Sequence, residues 1–102
     1  MTEVLETHRQ QVAELCRQVG ARRLDVFGSA ARGEFDPESS DLDFLVELDA
    51  TPPARYASAY FALKEGLEKL FGHSVDLVTE SGLGNPYFRQ RVQAERRNLY
   101  AR

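Results

Sequence analysis

Between residues 3 and 19, Val4, Leu5, Val12, Leu15, Cys16 and Val19, with His8 among them, recur at steps of three and four, and Glu, Gln and Arg fill the other positions. That period predicts an amphipathic helix, with Thr2 as its N-cap and Gly20 as a left-handed stop. Over residues 22–27 the period changes to two: Leu24 and Val26 take one face and Arg23, Asp25 and Phe27 the other, which predicts a first strand ending at Gly28-Ser29. A helical turn over 29–33 and an exposed loop over 34–40, rich in Asp, Pro, Glu and Ser, are expected next. Residues 41–48 alternate again, with Leu42, Phe44, Val46 and Leu48 opposite Asp41, Asp43, Leu45 and Glu47. Thr51-Pro52-Pro53 breaks this second strand and opens a helix to about Phe71, in which Phe61, Lys64, Leu67, Leu70 and Phe71 share a face and Gly72 is the stop. Residues 74–79 predict a third strand, with Val75 and Leu77 turned to the core and Asp76 and Val78 away from it. A helical turn from Asn85-Pro86 carries Phe88, Val92 and Glu95, and Asn98-Leu99-Tyr100 fits either an edge strand or an extension of that helix.

Composition narrows the class. A chain of 102 residues can bury one modest core, so residues 1–102 are expected to form a single domain. No apolar run approaches the roughly eighteen residues that span a membrane, and the polar, acidic start MTEVLETHRQQ is unlike a signal peptide. A cytoplasmic location is the expectation. Cys16 is the single cysteine, which excludes an intrachain disulfide and a cysteine metal cluster; its helical spacing from Val12 and Val19 reads as core. His8 and His73 lack metal-ligand spacing and read as structural or surface residues.

The net charge of -3 argues against a dedicated nucleic-acid binder. Its distribution says more. Arg89, Arg91, Arg96, Arg97 and Arg102 crowd the C-terminus, whereas Glu38, Asp41, Asp43 and Glu47 fall in one acidic stretch. A solvated face, an acidic partner surface and triphosphate contacts all fit the arginines. An acidic cluster that shares a site with phosphate needs a cation between them.

The candidate chemistry follows from the strand period. Side chains two apart on a strand project to the same side, so Asp41 and Asp43 converge, and Asp76 offers a third carboxylate from a later strand. Hard oxygen ligands of this kind suit magnesium, or manganese, and leave positions open for substrate phosphates. With two such ions, Asp41 and Asp43 are shared ligands, while Asp76 completes the first site or acts as general base. Gly28 lets the main chain approach a phosphate, the Ser29 hydroxyl can bond its oxygens, and Arg32 lies within reach to add charge. Each signal alone is commonplace; together, on successive strands, they point to a metal-phosphate site.

The run GSAARGEFDPESSDLDFLVEL resembles the signature of the minimal nucleotidyltransferases (MNT) of the DNA polymerase beta superfamily: Gly-Ser, a ten- or eleven-residue loop, Asp-x-Asp, then a third Asp on a later strand. The spacing here, residues 30–40, is the eleven-residue form, and NPYFRQRVQAERRNLY resembles the family's C-terminal segment. The resemblance implies an α/β (α+β) fold, a small mixed β-sheet packed with helices, like the polymerase beta palm. It implies Gly28 and Ser29 as the triphosphate-holding pair, Asp41 and Asp43 as the metal-binding pair, and Asp76 as the third carboxylate. It further implies similarity to antitoxins of HEPN/MNT toxin-antitoxin pairs, in which AMP passes from ATP to a tyrosine of a HEPN ribonuclease toxin.

Larger polymerase beta relatives carry a second domain for base and acceptor strand, and 102 residues leave no space for one. The expected partners are therefore a nucleoside triphosphate, with ATP as substrate, and a protein acceptor; direct nucleic-acid or membrane binding is not expected, and homo-oligomerisation stays open. Two alternatives stand beside this reading: an antitoxin that acts by binding alone, and nucleotidyl transfer to a small molecule.

Overall fold

The computed structural model describes residues 2–34, 36, 38, 41–49 and 52–102, leaving aside the side chain of Thr2. The elements run α1 (Thr2–Thr7), α2 (Arg9–Val19), β1 (Ala21–Phe27), α3 (Gly28–Arg32), β2 (Leu42–Leu48), α4 (Pro53–Phe71), β3 (Val75–Thr79), a 3-10 turn (Glu80–Gly82), α5 (Pro86–Glu95) and β4 (Arg97–Ala101). The strands form one sheet in the order β3-β2-β1-β4. β1 pairs antiparallel with both β2 and β4, while β2 and β3 are parallel and joined by the α4 crossover, so the sheet is mixed.

The first helix differs from its expected form. One helix over 3–19 becomes two, α1 and α2, parted at His8. The His8 ring Nδ1–H donates to the Val4 carbonyl at 2.8 Å, sharing that acceptor with its own backbone N–H at 3.2 Å. A side chain competing for its own helix's carbonyl loosens the ladder there. Leu5, Val12 and Cys16 are buried as the period implies, but Val4 is 40% exposed. Gly20 takes the left-handed stop, at φ 75°. Burial pushes the Cys16 thiol up to about 12, consistent with a core residue and not a nucleophile. The Thr2 cap lies outside the described side chains.

Helix α4 begins with Pro53 in its first turn and ends at left-handed Gly72, as the sequence suggests, but its buried face differs. Leu63 and Leu67 are fully covered, whereas Phe61 is 58% exposed. The C-terminal segment resolves as an edge strand, β4, because Arg96 leaves helical geometry with ψ 139°.

The sheet has two unlike faces. On one, Leu24, Val26, Leu42, Phe44, Val46, Val75 and Leu77 pack under Leu5, Val12 and Cys16 of α1 and α2 and under Leu63 and Leu67 of α4. On the other, Phe27, Leu45, Leu83 and Val92 form a smaller cluster, joined by Val78 and Phe88. Asn85 caps α5 by accepting from the N–H groups of Tyr87 and Phe88 at 2.9 and 3.2 Å. No described helix is long and apolar enough to cross a membrane.

Candidate active site

Asp43 is the second residue of β2, and its register places it between two neighbours: Phe27 on β1 and Asp76 on β3. Residues paired across parallel strands project to the same side of the sheet. Asp43 and Asp76 are therefore side by side on the face that carries the smaller apolar cluster. The Leu42 N–H donates to the Ser74 carbonyl at 3.0 Å, which extends the β2–β3 pairing, and the Val75 N–H donates to Glu68 Oε2 at 3.1 Å, which ties β3 to α4.

Gly28 follows Phe27 and so begins α3 beside Asp43. Its φ is +73°, and a Cβ there would overlap the Asp43 carboxylate, with Cγ at 3.2 Å. The position needs glycine for two reasons: a left-handed backbone and close approach of the carboxylate. Ser29 is half-buried in the first turn of α3, and Gly33 closes that helix at φ 75°. The predicted turn is thus present. Helix N-terminal amides of this kind favour anions.

Asp41, the predicted first residue of the second strand, stands just outside β2 in an exposed position, because the strand begins one residue later at Leu42. Asp76 is also exposed, and Asp43 is half-buried. The Asp43 carboxyl is raised from 3.8 to about 6, first by burial, then by the charges of Asp76 and Asp41, with Arg32 pulling it down and Glu95 adding to the rise. These carboxylates act on one another electrostatically. Among the described residues, no three acidic, histidine or cysteine side chains stand close enough to hold a single ion as placed.

Arg32, expected on the phosphate side, is held by two carboxylates. Its Nε donates to Glu34 at 2.7 Å and its Nη1 to Glu95 at 2.5 Å. Glu95 is the site-proximal residue whose importance the pattern understates. It is the last residue of α5, its side chain is 15% exposed, and its Oε1 is enclosed without a hydrogen-bond partner among the described residues. The available signal was its spacing, three residues after buried Val92 and so on the same helix face.

A second group escaped the sequence reading altogether. Asp25, fully buried on β1, accepts from Arg96, from Arg23 Nε at 3.2 Å and from Asn98 Nδ2 at 2.9 Å. Arg96 is therefore an internal ion-pair partner, and Arg102, which donates to Asp49 at 2.6 Å, is also engaged within the chain. The arginines of the C-terminus do not form one free basic surface.

Residues 8–99 match the family described as nucleotidyltransferase domain. The chain belongs to this family. A protein of Methanocaldococcus jannaschii, named as a candidate protein adenylyltransferase, is 35% identical over 93% of both chains. The protein adenylyltransferase MntA of Thermococcus cleftensis is 39% identical over 78% of this chain and 74% of its own. A solved structure of a candidate minimal nucleotidyltransferase superposes with a TM-score of 0.69 at 42% identity, over 93% of this chain and 92% of that one. This nucleotidyltransferase thus has the mixed α/β fold expected of the minimal members.

Proposed function

We propose that this nucleotidyltransferase transfers AMP from magnesium-bound ATP to a tyrosine of a HEPN toxin, and so acts as that toxin's antitoxin. The observation that carries the reading is the in-register pairing of Asp43 with Asp76, beside a glycine whose missing Cβ makes room for the Asp43 carboxylate. Support also comes from two solved complexes that share the fold. One is a toxin-antitoxin with AMP-PNP, at TM-score 0.66. The other is a tri-AMPylated Shewanella oneidensis HEPN toxin with MNT antitoxin, at TM-score 0.61.

The residues fit a hard divalent cation by donor chemistry. Asp41, Asp43 and Asp76 offer oxygen only, and the upward shift of Asp43, caused in part by the other two, is a repulsion that bound positive charge relieves. Asp41 and Asp43 would hold two magnesium ions between them, for which manganese can substitute. Bound there, the metal would supply positive charge to the α-phosphate, to the departing pyrophosphate and to the acceptor hydroxyl.

The chain's own groups do the rest. Gly28 admits the main chain to the triphosphate, the Ser29 hydroxyl donates to its oxygens, and Arg32 supplies positive charge. Held in line, the acceptor oxygen bonds to the α-phosphorus as the bond from that phosphorus to the bridging oxygen breaks, releasing pyrophosphate. In this reading Asp76, exposed on the edge strand β3, takes the hydroxyl proton.

The test is mass spectrometry of a HEPN partner after incubation with the purified chain and magnesium-ATP. An added AMP on tyrosine is the expected result. An unmodified partner, while the chain still neutralises it, overturns transfer and leaves inhibition by binding.

A further inference from the structure

A carboxylate that is mostly enclosed, has one oxygen without a partner among the described residues and adds negative charge beside three aspartates is unfavourable unless it holds something in place. Glu95 is such a group, and its location is over-determined. One turn earlier Val92 is fully buried against the smaller cluster, and the next residue, Arg96, is tied to buried Asp25. Glu95 therefore presents its carboxylate to α3 from a rigid base.

What it holds is Arg32, at the end of a five-residue helix whose long side chain would otherwise sample many rotamers. Glu34, the other partner, is 64% exposed, and an exposed pair of that kind restrains weakly. Arg32 Nη2 makes no hydrogen bond among the described residues. We propose that Glu95 is a positioning residue for nucleotide binding: it anchors Arg32 through Nη1 so that the rest of the guanidinium faces the triphosphate. With Glu95 as the enclosed tether, Arg32 can exchange the exposed Glu34 for a phosphate oxygen. This rests on the phosphate role proposed above for Gly28, Ser29 and Arg32.

The test is calorimetric titration of magnesium-AMP-PNP into the full chain as wild type, Glu95→Gln, Arg32→Ala and the double variant. Glu95→Gln keeps the shape and removes the charge. It is expected to weaken nucleotide binding about tenfold, the scale of one charge-assisted hydrogen bond. In the Arg32→Ala background the same change is expected to have no further effect, because Glu95 acts through Arg32. Equal losses with and without Arg32 make Glu95 a brace for α5 and overturn the inference, as does wild-type affinity in Glu95→Gln. If Glu95→Gln melts well below wild type, Glu95→Asp, which keeps the charge but withdraws it by one methylene, takes its place under the same expectations. Wild type that fails to bind the nucleotide overturns the proposed function and this inference together.

Discussion

The two faces of the sheet are built on opposite terms. Under α1, α2 and α4 the side chains are apolar and close-packed, from Leu24 and Phe44 to Leu63 and Leu67, and that face is the main source of burial. The opposite face has a small apolar cluster in its middle, the carboxylates of Asp43 and Asp76 at one end, and a buried charge, Asp25, behind it. One face stabilises the chain through burial; on the other, the carboxylates of Asp43 and Asp76 repel one another, while Asp25 is held by Arg96, Arg23 and Asn98. The same strands serve both because alternate side chains point to opposite sides.

The largest expected effect comes from removing charge on the second face. The double variant Asp41→Asn with Asp43→Asn should lower nucleotide transfer about a thousandfold, since metal-held charge stabilisation is worth several kcal/mol and each ~1.4 kcal/mol is tenfold. Steady-state assay with magnesium-ATP checks this, and the melting temperature should not fall. Unimpaired neutralisation of the partner by this variant would show that binding suffices.

Next is the buried ion pair on that face. Asp25→Ala leaves Arg96 and Asn98 without their shared acceptor, and loss of one partner from a buried pair typically removes about 3–5 kcal/mol. Urea denaturation should show a loss of that size, together with weaker nucleotide binding, because Arg96 anchors the residue next to Glu95.

The apolar face should respond differently. Leu67→Ala, at a fully buried position, should lower unfolding free energy by about 2–5 kcal/mol through lost burial and a cavity. Transfer per folded molecule should be unchanged. A large fall in turnover with full folding would mean that the two faces are coupled more tightly than the packing implies.

The smallest effect is a pH-dependent one, measured with chelator present. Raised from 3.8 to about 6, the Asp43 carboxyl makes the folded chain hold more protons than the unfolded chain in that window. Its ionisation therefore subtracts from stability as pH rises through that window. Asp43→Asn lacks this penalty, so it should melt above wild type at pH values beyond 6, and the gap should close below 3.8. A gap that is constant across this range would remove titration of Asp43 as its cause.

Much of the site's local structure was legible beforehand because each part of it depends on near neighbours. The strand ending at Gly28, the turn after it and the alternation that sets Asp43 opposite Phe44 follow from period and turn chemistry. Phe61 was misplaced because helical spacing admits adjacent stripes, and only packing against the sheet selects Leu63 and Leu67. His8 is readable as structural, yet the bond its ring makes to the Val4 carbonyl, at the point where α1 and α2 part, leaves no mark in periodicity. Asp25 looked like the polar side of a strand, and nothing within a few residues of it shows that Arg96 and Asn98 return to cover it.

By itself the sequence determined β1, β2, β3, α4 and the start of α5, the left-handed glycines that end helices α2 and α4, and the Gly-Ser and Asp-x-Asp pairs, because these arise from interactions within a turn or a strand. Only the tertiary structure decided that β3 lies parallel beside β2 with Asp76 level with Asp43, that β4 closes the far edge, and that Glu95 reaches Arg32. Those are juxtapositions of residues 33 and 63 positions apart along the chain, as the numbers of each pair show. They depend on how the α4 crossover and α5 pack onto the two faces, a property of the whole core and of no single segment.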